Sequence, residues 1–345
     1  QAATLGDTPF RWFQSQGYPE NDCWLWGTDG TGLEIAFTDV VPKGLYGLAT
    51  FDTRTYETTY ALEMVGHIAA RLEHSGWLLS VIDERINTSY WKDRLHVWFD
   101  EVEAIASPSP RARGLSFFLS RRPLQGNSPF IEYYSWQTTF RNKVYDLRGA
   151  PGVFSPRALD RGTAFMLDVM DIVPEERFLD LGCGTGAVAV MVSRGFQVPV
   201  VAIDNNARAL RLVTENCQNN MADNVKIYPS DGFGDIASDE MFDVIACNPP
   251  YHTDFSVARR FIEGSFLHLN QGGRLYLVVK RTDWYERKLK SLFGGCQRFT
   301  DDDGYTVFVA RRYLESGRQR THRVGTRKHQ KRQEQTRKRK QGRRR

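Results

Sequence analysis

The chain contains no run of 18 apolar residues, so no candidate membrane-spanning helix can be drawn from it. Its five cysteines, Cys23, Cys183, Cys217, Cys247 and Cys296, are odd in number and scattered. They form no CxxC pair and no Cys/His ligand spacing, which argues against a disulfide framework and a zinc site alike. No metal site is expected, and the compartment implied is a reducing one, the cytoplasm. Cys183 and Cys247 end apolar runs and are read as small core residues. The residues that follow Gln1 have neither the pattern of a signal peptide nor that of an Arg-rich transit segment. The last 35 residues, ending RKHQKRQEQTRKRKQGRRR, have almost no apolar side chains and are expected to be disordered.

The length of 345 residues suggests about two domains, and a hydrophobic content of 41% with 12% aromatics marks a globular body. The net charge of +5 averages two unlike parts. From Arg311 onward there are 16 Lys and Arg against two Glu, while the rest holds 30 basic and 39 acidic residues. An acidic body thus carries a basic tail, and a polycation of this kind gathers nucleic-acid phosphates through counterion release without reading sequence.

Seven of the eight tryptophans lie before position 137. Over Tyr56 to Glu73, Ala61, Met64, Val65, Ile68, Ala69 and Leu72 recur at helical spacing, and the segment ends at Ser75-Gly76 before a strand-like WLLSVI. A hairpin-like GLSFFLSRR follows from Gly114. The C-terminal half repeats that order: VARRFIEGSFLHLNQGG, RLYLVV, WYERKLKSLFG, then GYTVFVARR from Gly304. This suggests an internal duplication whose first copy has lost its functional loops. No counterpart of LDLGCGTG precedes Tyr56, and VPKGLYG stands roughly where the later NPPY would fall. Residues 126–150, with Pro, Gly and Asn turn signals and the cluster EYYSWQTTF, read as a connection.

After residue 150 apolar strands alternate with helical segments, which means a parallel sheet covered on both faces, with ligands at the C-terminal strand ends. Strands are expected over 177–181, 198–203, 225–229, 242–247 and 274–280, with helices from Thr185 and over 206–219, 256–269 and 284–293. The first strand runs into Gly182-Cys183-Gly184-Thr185-Gly186, a tight glycine turn that lets backbone approach a cofactor. Asp204, about twenty residues on at the end of PVVAID, is placed to take two ribose hydroxyls. Further on, FDVIACNPPYH puts Asn248-Pro249-Pro250-Tyr251 directly after a buried strand.

These motifs, GVFSPRALDRGT, FLDLGCGTG, AIDNN, NPPYH followed by VARRFI, GGRLYLVVKR and GYTVFVARR, resemble the small domain of class I S-adenosylmethionine methyltransferases. The whole chain resembles bacterial rRNA guanine-N2 methyltransferases built from a degenerate N-terminal copy and an active one. The resemblance implies an α/β fold: a Rossmann-like, seven-stranded methyltransferase domain over 151–313, preceded by a smaller degenerate α/β domain over 1–125 and a connection over 126–150, and followed by a disordered basic tail over 314–345. It implies S-adenosylmethionine as cofactor, ribosomal RNA or a ribosomal subunit as partner, and a monomer away from membranes. Cofactor contacts would come from Asp180, toward an ammonium group; from Gly182, Gly184 and Gly186, whose amides would approach the methionine carboxylate; from Asp204 and Asn205; from Asp231, accepting from the adenine amine; and from Phe233, stacking on the adenine. Phe154, Asp160 and Thr163 would border the methionine end.

Asn248, Pro249, Pro250 and Tyr251 would form the catalytic loop. Its chemistry suits a planar NH2 whose lone pair is delocalised: two carbonyl oxygens accept its protons and Tyr251 stacks on the base. His252 either touches substrate or caps the next helix. The same tetrad serves adenine-N6 RNA methylation and glutamine-amide methylation of protein, which remain alternatives, as does a non-catalytic RNA-binding ribosome-assembly factor.

Overall fold

The structure is a computed structural model and describes residues 2–5, 23–26, 45–53, 57–85, 88–106, 114–124, 126, 133–249 and 255–313. Those up to Arg312 belong to one compact unit. Pro250, Tyr251, His252 and the tail from residue 314 lie outside the described residues.

The first sheet is built from β1 (Ala2–Leu5), β2 (Cys23–Trp26), β3 (Tyr46–Asp52), helix α1 (Thr58–Ala69), β4 (Leu72–Asp83), α2 (Thr88–Leu95), β5 (Phe99–Ile105) and β6 (Leu115–Pro123). Its strand order is β2-β1-β3-β4-β6-β5. The first four strands run parallel, and β6 and β5 are added antiparallel. Tyr46, Phe51, Met64, Leu78, Trp91 and Phe99 form its core, all at most 2% exposed. The helix expected over Tyr56 to Glu73 stops at Ala69, because β4 already starts at Leu72. Its register against β3 then jumps from Leu72 to Trp77 while β3 advances only from Tyr46 to Leu48, a bulge that absorbs Ser75 and Gly76.

The stretch read as a connection holds a hairpin, β7 (Tyr134–Phe140) with β8 (Lys143–Gly149). Its two-residue turn, Arg141-Asn142, has φ of 48° and 58°, the left-handed pair that matches strand twist. Arg141 lies over the Phe196 ring at 4.2 Å. Without the usual Asn-Gly, the turn carries a weak sequence signal.

Beyond it come α3 (Arg161–Val169), β9 (Phe178–Leu181), α4 (Ala187–Phe196), β10 (Val200–Asp204), α5 (Ala207–Asn219), β11 (Val225–Pro229), β12 (Phe242–Cys247), α6 (Ser256–His268), β13 (Leu269–Val279), α7 (Asp283–Phe293), β14 (Gln297–Thr300) and β15 (Thr306–Arg311). The seven-stranded order is β11-β10-β9-β12-β13-β15-β14, with β15 and β14 antiparallel. Runs such as VVAID and FDVIAC are buried nearly throughout because helices cover both sheet faces. One core, with Phe178, Met191, Ala246 and Val278, fills one face; another, with Leu181, Ile203, Ile245 and Phe308, fills the other. Among the described residues no helix is long and apolar enough to cross a membrane.

Candidate active site

The chain goes from β9 outward to β10 and β11, then returns to place β12 on the other side of β9. A crevice opens where the order reverses, at the C-terminal strand ends. There a cavity of about 490 Å³ is lined by Asp180, Gly182 and Gly184 from β9 and its turn, Asp204 and Asn205 from β10, and Asn248 and Pro249 after β12.

Gly182, Gly184 and Gly186 have φ of 75°, 54° and 78°, which L side chains adopt only with strain. Their amides are spent inside the turn. Gly182 N and Cys183 N donate to the Ile203 carbonyl at 3.0 and 2.9 Å, Gly184 N to Asp204 Oδ2 at 2.9 Å, and Gly186 N to the Cys183 carbonyl at 2.8 Å. Gly182 and Gly184 line the cavity, and their missing side chains keep its wall open. A Cβ on Gly184 would meet nothing closer than Val153 at 4.0 Å, and one on Gly182 would lie 3.6 Å from Phe261. Gly186 differs, since a Cβ there would strike Val213 of α5 at 2.7 Å; it lets two helices pack closely.

Asp180 is 4% exposed, and its Oδ2 accepts from Ala189 N at 3.0 Å near the start of α4. Burial pushes its carboxyl up to about 7, the Ala189 amide opposes this, and Asp204 adds to it. Asp204 accepts from Gly184 N and, through Oδ1, from Asn206 N at 2.9 Å. Burial raises its pKa too, against those amides. Each carboxylate oxygen keeps a second lone pair by its chemistry, so these bonds leave acceptor capacity for a diol or an ammonium. Asp231 forms a two-pronged ion pair with Arg260 of α6, at 2.7 and 3.3 Å, and both line the cavity. Phe233 does not line it. The ring stacks on His268 at 4.8 Å and lies against Gly264, where a Cβ would be 2.1 Å away, so the missing side chain draws it onto α6. Phe261, one turn into the same helix, supplies the aromatic wall instead.

Asn248 is oriented by the start of α3. Its Nδ2 donates to Asp160 Oδ2 at 3.2 Å and to Thr163 Oγ1 at 3.1 Å. A carboxylate accepts only, so the NH2 end must face Asp160, and the amide oxygen becomes the acceptor the side chain presents elsewhere. Asp160 also caps α3 through Thr163 N at 2.8 Å, which fixes the carboxylate in place. Asp160 and Thr163, expected to border the methionine end of a cofactor, line the cavity and hold the Asn248 side chain. Sequence reading did not find Arg260, Phe261 or Trp136, the last reaching the cavity from β7. Among the described residues, the charged groups lining the cavity are Asp160, Asp180, Asp204, Asp231 and one cation, Arg260. Such a wall accepts a cationic ligand. S-adenosylmethionine, with a sulfonium and an ammonium, fits those carboxylate acceptors, the open glycine wall and the cavity size.

Strand order, switch-point crevice, glycine turn and terminal acid define a cofactor-binding doubly wound α/β protein with Asn248 at the rim of its cavity. The family described as "Methyltransferase small domain" matches residues 144–309. "Uncharacterized protein YbxB" of Bacillus subtilis is 31% identical over 183 residues, covering 52% of this chain and 91% of that protein. The chain belongs to the methyltransferase small-domain family. A "Ribosomal RNA small subunit methyltransferase C" of Haemophilus influenzae is 30% identical over 190 residues, 53% of this chain, and the match spans little more than half of that relative, 57%. The fold also matches the T. thermophilus 16S rRNA N2 methyltransferase solved with AdoMet and guanosine, at a TM-score of 0.78 and 19% identity, covering 90% of this chain and 88% of that one. At that identity the likeness concerns the fold.

Proposed function

We propose that this chain transfers a methyl group from S-adenosylmethionine to N2 of a guanine in ribosomal RNA, as a cytoplasmic monomer. The observation that carries this is the Asn248 amide, held in one sense by Asp160 and Thr163 at the edge of an acidic cavity. When bound, the cofactor supplies an electrophilic methyl on a sulfonium. Asp180 would hold its ammonium, Asp204 and Asn205 its ribose, and Asp231 and Phe261 its adenosine end. Asn248 Oδ1 and the Pro249 carbonyl each accept one N–H of the exocyclic amine, which aims its lone pair at the methyl and stabilises the charge that develops on nitrogen. Pro250 and Tyr251 lie outside the described residues; the sequence assigns them to the same loop, where the aromatic face of Tyr251 would stack on the base. The nitrogen sheds its proton after transfer, when it has become acidic, so a strong base is not needed.

Guanine in rRNA is favoured over adenine or a protein glutamine by the kind of relatives the chain matches. The first 125 residues are read as the degenerate copy, 126–150 as the connection, 151–313 as the catalytic domain and 314–345 as the basic tail that gathers RNA. Incubating rRNA, naked and as subunits, with the protein and methyl-labelled cofactor, then analysing nucleosides by mass spectrometry, tests the reading. Labelled N2-methylguanosine is expected. Label in N6-methyladenosine or in protein glutamine moves the acceptor, and no label in any of them ends the proposal.

A further inference from the structure

A buried ion pair joins the first sheet's helix to the wall of the cofactor cavity. Glu63 of α1 and Arg208 of α5 lie 145 positions apart, and their side chains are 5% and 0% exposed. Arg208 donates from Nη2 to Glu63 Oε1 at 2.6 Å and from Nη1 to Glu63 Oε2 at 3.0 Å. The same Nη1 donates to the Pro151 carbonyl at 2.9 Å, and the guanidinium lies 4.7 Å from the Tyr60 ring. His67, one turn on in α1, approaches Glu63 Oε1 at 3.5 Å.

What this pair grips matters more than its own strength. Pro151 belongs to the segment 150–155, whose Val153, Phe154 and Ser155 line the cavity. Behind that segment, Tyr60 of α1 packs so tightly on Gly152 that a Cβ there would stand 2.5 Å from the ring. In front, Asn206 Nδ2 donates to the Gly152 carbonyl at 3.0 Å, and Ala150 and Val153 pack on Ala209 and Leu212 of α5. Asn206 also caps α5 by accepting from Arg208 N, and donates its own N–H to Asp204. One guanidinium therefore fixes both the segment opposite the glycine turn and the first turn of the helix that follows Asp204 and Asn205.

We infer that Glu63 and Arg208 are positioning residues for the cofactor: the first sheet's helix sets the cavity wall, so the degenerate half takes part in cofactor binding without touching the ligand. This rests on the reading of the cavity as a S-adenosylmethionine site. A merely structural pair would add stability and leave affinity alone, and the two roles can be separated. Removing one partner strands a buried charge, whereas replacing both with well-packed hydrophobic side chains of similar volume is often neutral for folding. The Glu63→Met/Arg208→Met double variant keeps buried apolar bulk but loses the bond to Pro151.

The experiment is calorimetric titration of the full chain with S-adenosylhomocysteine, alongside thermal unfolding and the KM values for cofactor and RNA. The double variant should unfold near the wild-type temperature. Its affinity should fall roughly tenfold or more, the scale of one charge-assisted hydrogen bond, with KM for the cofactor raised and KM for RNA unmoved. Wild-type affinity in the double variant overturns the inference. Should the double variant fail to fold, Arg208→Lys decides: it keeps the charge beside Glu63, but its Nζ ends one bond short of the Nη1 position that meets both Glu63 and Pro151, so the same drop is expected and unchanged affinity refutes it. A wild-type chain that ignores S-adenosylhomocysteine refutes the reading of the cavity itself, and this inference with it.

Discussion

The two sheets of this chain are the same frame built twice. Strand order β2-β1-β3-β4-β6-β5 in the first repeats as β10-β9-β12-β13-β15-β14 in the second, which adds β11 at its edge. Even the irregularity repeats: Tyr46↔Leu72 and Leu48↔Trp77 have the step of Phe242↔Leu269 and Val244↔Arg274. Following that register, Leu5 corresponds to Leu181, Trp26 to Ile203 and Phe51 to Cys247. The chemistry differs at the next residues. After Leu5 come Gly6, Asp7, Thr8, Pro9 and Phe10 where the second sheet has its three-glycine turn, Gly27 follows Trp26 where Asp204 stands, and Asp52 takes the place of Asn248. Of VPKGLYG, expected roughly where NPPY would fall, residues 41–44 lie outside the described residues and Tyr46 and Gly47 already belong to β3; by register the counterpart of Asn248 is Asp52. The frame is thus specified by strand pattern and bulge, and activity by a handful of loop positions at strand ends.

The sharpest way to break that comparison is at its paired positions. Asn248→Ala should lower single-turnover methyl transfer by about a hundredfold or more while S-adenosylhomocysteine affinity stays nearly intact, the scale of losing one oriented polar contact in a transition state. Asp52→Ala, at the same register in the other copy, should leave the rate unchanged. Equal losses at the two positions would mean the first copy is not degenerate.

Next in size is Gly186→Ala. A Cβ would meet Val213 at 2.7 Å in a residue whose φ is 78°. Overpacking and left-handed strain together should destabilise the chain by about 2–3 kcal/mol, read from a urea midpoint. The first sheet has no glycine run there, so this cost is specific to the cofactor half.

The pH dependence follows from Asp180, raised from 3.8 to about 7 by burial. A folded pKa above the unfolded one means that this group's contribution to stability is full below about 4 and is lost as pH rises through 7. For binding the sign is opposite. On the proposed reading the carboxylate of Asp180 pairs with the cofactor's ammonium, so affinity should fall as pH drops below 7, up to about tenfold per unit, with proton release seen in calorimetry at pH 6. Asp180→Asn should flatten that slope. A slope surviving the substitution would assign it elsewhere.

Much of this was legible in the sequence, for identifiable reasons. The strands that carry Asp180 and Asp204 and the one that leads into Asn248 announce themselves because burial on both faces makes their apolar runs continuous, and a glycine cluster at a strand end has few other uses. What stayed hidden depends on contacts far apart in sequence. Phe233 and Phe261 are both aromatic and both close to Asp231 in space; only Gly264, by admitting the Phe233 ring onto α6, decides which one walls the cavity. The Arg260–Asp231 and Arg208–Glu63 pairs span 29 and 145 positions. The β7–β8 hairpin was missed because its left-handed turn is made by Arg and Asn instead of glycine.

The smallest effect tests the frame itself. Gly114 and Gly304 precede the antiparallel strand of each sheet, and the register makes them equivalent: Ser116 faces Ile82 as Thr306 faces Val279. Their φ values are 78° and 81°, and a Cβ on either would meet nothing within 4 Å. Alanine at either site therefore suffers only the left-handed backbone strain, roughly 1 kcal/mol, partly offset by a stiffer unfolded chain. Gly114→Ala and Gly304→Ala should shift the urea midpoint by the same small amount and leave cofactor affinity untouched. A loss at Gly304 clearly larger than at Gly114 would show that the two turns, alike in backbone, are held by different surroundings, and that the resemblance of the two halves stops at the strands.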